Sequence, residues 1–451
     1  MKRDINEQLL KWKASSRRKP LLIKGARQTG KTYSLKQFGR KEFDRLAYFN
    51  FEEDPFLKSF FSQRLQPEQL VQNLSLYAHK NIRPGRDLII LDEIQASNNA
   101  LKSLKYFQEE APQYHIAAAG SLLGIALSGP GSFPVGKVNF INLYPMTFLE
   151  FLEAVGAGDL REYIAKTSDI VPFPEPLHQE LIRYLRTYYF TGGMPEAVSH
   201  YAQNKDLNEV REIQNEIITA YVLDFAKYAA SPDIPKLSLV WDSIPVQLAK
   251  ENKKFIFTKL KNSARLRDFE NAIEWLEKAG LIFRIFRVKT AKSPLKGYIE
   301  DNIFKVYALD VGLLNAMANI EPDILVRGDR IFQEFKGAFV ENYVAQQIKA
   351  AKGMELCYWE SSGSAEVDFV GEYSGHILPL EAKAGINPRS KSLKSFDQKF
   401  NPPVLFRTNL RNLKKDDRFV NIPLYALSLF PDILRVTHEF ERFPDKAKLF
   451  S

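Results

Sequence analysis

The sequence predicts an α/β fold: a parallel sheet at the front, then helical and winged-helix stretches, then a second α/β region. Three observations predict it. Between residues 20 and 150 short apolar runs alternate with helix-length segments: Pro20–Ile23, Leu46–Phe51, Leu88–Leu91, Ile116–Ala119 and Val138–Ile141. A glycine-rich loop follows the first run directly. Further on, a strongly basic stretch leads into a strand-like run, and acidic residues recur on late strands.

Each element has a physical reason. Continuous apolar runs bounded by polar turns suit strands buried on both faces, and their alternation with helices reads as a parallel sheet. From about 147 to 235 the pattern is helical, broken at the proline-rich Val171–Pro176 and at Phe190–Pro195, where glycine and proline force a turn. Leu281–Val288, Val367–Val370 and Ile377–Lys383 read as strands, with a long helix from about 330 before the last two.

With 451 residues, and about 150 per domain, the chain holds two to four domains. The single cysteine, Cys357, permits neither an internal disulfide nor a cysteine-based zinc site, which fits a reducing, cytoplasmic setting. The amphipathic N-terminus lacks an apolar leader, and no run of 18 apolar residues occurs, so no membrane span is expected. The net charge of +9 is concentrated. Residues 250–300 hold 13 Lys/Arg against 6 Asp/Glu, and residues 383–418 hold 10 against 3. Such clusters point to a polyanionic partner or to a solvated basic surface.

The glycine-rich loop is Gly25, Ala26, Arg27, Gln28, Thr29, Gly30, Lys31 and Thr32. It fills every fixed position of G-x-x-x-x-G-K-[ST], the P-loop. Glycines let the backbone fold tightly around phosphates, and successive N–H groups at a helix start converge on the anion. Lys31 brings a charge to the β- and γ-phosphates, and Thr32 offers a hydroxyl to magnesium. ATP and Mg2+ are the ligands this loop implies. The run Leu88–Leu91 then ends in Asp92 and Glu93. A buried strand ending in two acids downstream of a P-loop reads as a Walker B segment. Asp92 is expected in the magnesium shell, and Glu93 beside the attacking water. Ser121, at the end of the next strand, is a candidate polar sensor or a plain loop serine.

Phe257–Leu260, Ala264–Phe269 and Ile273–Ile282 suggest helix, turn, helix and strand, the order of a winged helix. Arg265 and Arg267 are its candidate phosphate or base contacts; packing against protein is the other use of such a fold. Near the end, Glu341 lies on a helix, Asp368 on a strand, and Glu381 and Lys383 on one face of the next strand. The order of Asp368, Glu381 and Lys383 is that of a restriction-endonuclease-type site. Two carboxylates can hold magnesium, Glu341 adds a third ligand, and the lysine activates water.

Gly25–Thr32, Leu91–Gln95, Gly120-Ser121, Leu143–Phe151 and Thr191–Glu196 together resemble a prokaryotic family of AAA+-type ATPases. The resemblance implies an N-terminal ATPase joined to a C-terminal part of unknown function that looks like a winged helix and a restriction-endonuclease-like fold. Many members carry an arginine after glycine near the end of the ATPase core; this chain has Gly136-Lys137. The expected domains are a P-loop ATPase domain at 1–155, a helical lid or linker at 156–235, a winged helix at 236–318 and an α/β nuclease-like domain at 319–451. The expected function is magnesium-dependent ATP binding and hydrolysis driving a conformational change coupled to DNA. An ATP-regulated nuclease, or a nucleotide-gated module that binds protein through a silent nuclease-like domain, are the alternatives. DNA, a protein and a second copy of the chain are the open partner classes.

Overall fold

In the computed structural model every apolar run of the first 150 residues forms a strand: β1 Leu21–Lys24, β2 Arg45–Asn50, β3 Asp87–Asp92, β4 His115–Ala119 and β5 Asn139–Asn142. The structure describes residues 1–62, 65–127, 136–249, 254–260, 265–321, 336–361, 363, 365–384 and 391–436. The strands form one sheet in the order β2-β3-β4-β1-β5, and every pairing is parallel. Leu21, Ile23, Leu88 and Ile90 pack on one face with Leu35 and Phe38 of the helix Lys31–Glu42. Leu22, Ile89 and Leu91 pack on the other with Leu101 and Leu104 of the helix Asn98–Glu110. Both faces are covered, which is why the strands read as unbroken apolar runs. Each fully buried Leu or Ile contributes about 1.5–3 kcal/mol.

This sheet belongs to one of two compact units, which spans Lys2–Tyr144 and Lys278–Leu281. The other unit spans Pro145–Glu277 and Ile282–Ser451. Its first part is helical through Ile234–Leu248. A short 3-10 turn at Phe257–Lys259 stands where the first helix of the helix-turn-helix was expected. The helix Leu266–Lys278 follows, with Phe269, Ala272, Ile273 and Leu276 buried as their helical spacing demands. Ala264 lies outside the described residues.

The strands of the second unit are β6 Ile282–Val288, β7 Ile299–Ala308, β8 Leu356–Glu360, β9 Glu366–Tyr373, β10 His376–Ala382, β11 Leu405–Asn409, β12 Lys414–Asp416 and β13 Phe419–Pro423. They form one mixed sheet in the order β12-β13-β11-β10-β9-β8-β6-β7. β6 pairs in parallel with β8, with Phe286 opposite Cys357 and Val288 opposite Trp359. The boundary expected between 318 and 319 therefore falls inside a single sheet. Among the described residues, no helix is long and apolar enough to cross a membrane.

Two sequence motifs acquire a packing reason here. Thr147 and Glu150 form a reciprocal capping box at the start of the helix Phe148–Ala154, the hydroxyl accepting from Glu150 N and the carboxylate from Thr147 N. Thr191–Pro195 wraps the buried Asp310, whose carboxylate accepts from Gly193 N at 2.7 Å, from Gly312 N and Leu313 N, and from the Gln346 amide. A side chain at Gly193 would put its Cβ 2.1 Å from the carbonyl oxygen of Met146. Gly193→Ala is expected to destabilise the protein by about 1–3 kcal/mol, the range for an added group that forces a backbone shift in a packed site. Urea denaturation measures this, and a loss under about 0.5 kcal/mol, the size of an ordinary surface change, would contradict it.

Candidate nucleotide-binding site

The site is built at the carboxyl ends of β1, β3 and β4, where ligands bind in open parallel sheets. β1 ends at Lys24, the loop Gly25–Gly30 follows, and the helix begins at Lys31. The first amides of that helix have no intrahelical partners and face an incoming anion. Lys31 is 6% exposed, and its ammonium donates to the carbonyls of Gly25 at 2.9 Å and Ala26 at 2.7 Å. The Thr29 hydroxyl donates to the Ala26 carbonyl. The buried Arg3 donates to the carbonyl of Thr29 at 2.9 Å and to that of Tyr144 at 2.8 Å, tying the N-terminal segment to the loop.

Thr32 and Asp92 meet across the intervening strand β4. The Thr32 hydroxyl donates to Asp92 Oδ2 at 2.7 Å, and the Tyr48 hydroxyl donates to the same oxygen at 2.9 Å. Burial pushes the Asp92 carboxyl above the usual carboxylate range, and the two hydroxyl donors only partly offset it. A buried carboxylate beside a hydroxyl forms a hard-oxygen set that fits magnesium.

Glu93 has a left-handed backbone, φ 47°, and its carboxylate is turned onto the loop after β4. Oε2 accepts from the Gln95 amide at 2.5 Å and from Ser121 N at 3.1 Å, while Oε1 accepts from Ser121 Oγ at 2.8 Å. Burial would raise this acid, but those donors and the Lys31 charge outweigh it and hold Glu93 below its ordinary value, ionised at neutral pH. A Cβ at Gly120 would lie 2.0 Å from Gln95 Oε1, so glycine there makes room for the amide that grips Glu93. Lys137, in the place of the expected arginine, pairs with Glu109 at 2.9 Å.

The P-loop, Asp92, Glu93 and Ser121 are thus brought together. Sequence reading did not single out Tyr48 or Arg3, and it quoted Gln95 only as the end of the Leu91–Gln95 motif, with no role assigned. Tyr48 was legible only as an aromatic in a strand, and nothing in the spacing tied it to Asp92.

The late acidic residues also gather, with partners the sequence did not announce. Lys383 meets Glu381 Oε1 at 2.7 Å, and Ala382 N donates to Asp368 Oδ2 at 2.9 Å. Glu341 accepts from the Tyr307 hydroxyl at 2.8 Å and lies 3.6 Å from the Lys305 ammonium. Among the described residues no three His, Cys, Asp or Glu side chains are grouped to hold a metal. Of the basic residues expected to face DNA, Arg267 is exposed and lies 3.8 Å from Asp268. In β6, Arg284 pairs with Glu277, and Arg287 pairs with Glu300 and Glu360.

Comparison with known proteins agrees with the first unit. Residues 17–152 match a family model described as an AAA domain. Residues 182–324 and 336–427 match two families described only as domains of unknown function, DUF8612 and DUF4143. No curated protein matches the chain. Among solved structures, a Walker-type ATPase of Pyrococcus abyssi is similar at 14% identity over 70% of this chain and 95% of that one, with a TM-score of 0.44. The Orc1 protein of Aeropyrum pernix, solved in complex with DNA, is similar at 14% identity over 70% of this chain and 90% of that one, with a TM-score of 0.29. Residues 17–152 form an AAA-type P-loop ATPase domain.

Burial pushes the Lys31 ammonium down to about 8, against the raising pull of Glu93 and Asp92, with Arg27 lowering it further. A bound triphosphate favours the charged form, so its pKa rises on binding. Nucleotide binding near pH 9 is therefore expected to take up as much as about one proton, and affinity to fall as pH rises through the free-protein value. Calorimetry in buffers of different ionisation enthalpy reads this directly. Binding with no proton uptake above that pH would contradict the shift.

Proposed function

We propose that the chain hydrolyses ATP with magnesium held by Thr32 and Asp92, and that turnover drives a conformational change coupled to DNA through the C-terminal half. The observation that carries the hydrolytic part is the contact of Thr32 Oγ1 with Asp92 Oδ2, with Glu93 next in the chain. Magnesium, when bound, supplies positive charge to the phosphate oxygens. The loop amides and Lys31 orient the triphosphate, Lys31 exchanging its carbonyl partners for phosphate oxygens. Glu93, ionised, orients the attacking water and accepts its proton. To do so its carboxylate leaves at least one of the donors on Gln95 and Ser121, so these two residues set how readily the acid reaches the water.

Coupling to DNA is supported by the exposed Arg267 and by the basic composition of residues 250–300 and 383–418. A second reading has its own support. The ion pairs of Arg284 and Arg287 occupy the two β6 arginines, which favours a nucleotide-gated module whose partner is a protein.

Lys31→Ala is expected to weaken ATP binding about 10–100-fold, the loss of a charge-assisted hydrogen bond of about 1.5–3 kcal/mol. Normal affinity in that variant would refute the P-loop assignment. Glu93→Gln is expected to keep binding while slowing turnover by about 100-fold or more. Equal rates in the two proteins would remove Glu93 from the chemistry. Turnover measured with and without duplex and single-stranded DNA over a salt series separates the partner readings. Stimulation that falls steeply with salt supports DNA, and turnover indifferent to nucleic acid supports the protein-binding module.

A further inference from the structure

The C-terminal acidic cluster contains a cation from outside its own motif. Lys305 lies on β7, inside the run Ile303–Tyr307, and its side chain is 0% exposed. An isolated ammonium in such a place would give up its proton. Here it lies 2.5 Å from Glu366 Oε1 and 3.6 Å from Glu341 Oε2, with the Tyr358 ring at 4.9 Å. Asp368 adds a third negative charge that acts on the same ammonium.

We propose that Lys305 is the resident cation of this cluster, filling among Glu341, Glu366 and Asp368 the charge role of a divalent ion and keeping magnesium out. Three observations carry this. The oxygen of Glu341 that faces Lys305 also accepts from Tyr307, so it is already committed. Asp368 is engaged by Ala382 N and Glu381 by Lys383, which brings a second ammonium to the cluster. Among the described residues Glu381 Oε2 is a buried carboxylate oxygen of the cluster without a hydrogen bond, and magnesium needs near-octahedral oxygen coordination, which one such oxygen does not supply. Sequence order alone had made Glu341, Asp368 and Glu381 a metal set; the residues as placed do not fit one. The inference concerns the second unit and stands apart from the ATPase reading.

The test is Mn2+ binding to the full-length, nucleotide-free chain, read by the electron paramagnetic resonance of free Mn2+. Asp92→Asn removes the P-loop contribution. In that background no site with a Kd below about 1 mM is expected. Adding Lys305→Ala is expected to create one site, which a further Glu381→Gln or Asp368→Asn removes. A Mn2+ site in Asp92→Asn protein that Glu381→Gln abolishes would overturn the proposal. So would a folded Lys305→Ala protein that gains no site. Should Lys305→Ala fail to fold, Lys305→Met keeps the apolar stem, and the Asp92→Asn measurement with Lys305 intact still decides.

Discussion

The hydrogen bond from the Thr32 hydroxyl to the Asp92 carboxylate is the contact on which the N-terminal unit is organised. β1 and β3 are not neighbours in the sheet; β4 lies between them. Thr32, in the first turn of the helix after β1, therefore reaches across the end of β4 to touch the last residue of β3. This works only if all three strands run the same way and end at one level. The registers supply that alignment, with Ile23 opposite Ala119 and Leu91 opposite Ala118. Ser121, just past β4, then falls beside Glu93, just past β3. The acid, the hydroxyl and the phosphate loop converge because the sheet is parallel and evenly cut.

Four buried or half-buried charges among the described residues, Asp310, Asp92, Glu93 and Lys305, are each engaged by several donors or opposite charges. Asp310 collects donors from two turns and a glutamine. Asp92 takes two hydroxyls, and Glu93 takes an amide, a hydroxyl and a main-chain N–H. Lys305 lies against two carboxylates, those of Glu366 and Glu341. Removing one partner from such a group leaves an uncompensated charge, which costs more than the contact is worth.

The parts legible in the sequence were those with local rules. Apolar runs gave all five strands of the first sheet, and the P-loop and the pair Asp92-Glu93 have fixed spacing. The turn at Gly192-Gly193 was legible as a turn. Its purpose was not, because Asp310 lies 117 residues away from Gly193 in the chain. Arg3 reaches Tyr144 across 141 residues, and Lys305 reaches Glu366 across 61, with no motif linking either pair. Leu281–Val288 was legible as a strand, and Arg284 and Arg287 as basic residues within it. Alternation tells which face a residue occupies but not that an acid waits there. Long-range pairing of this kind has no periodicity to reveal it.

The eight-stranded sheet has a consequence for how the chain is made. β6 and β7 leave the ribosome as a hairpin, but β8, the strand that covers the free edge of β6, begins only at Leu356. At about 5–20 residues per second the stretch from the end of β7 at Ala308 to Leu356 takes ~2–10 s. During that time a row of main-chain N–H and C=O groups on β6 is open to any extended segment nearby. The nascent chain thus passes through a stage in which its most adhesive edge waits for a distant strand. The ion pairs of Arg284 and Arg287 with Glu277 and Glu300, all synthesised by then, keep charged side chains along that edge while it waits.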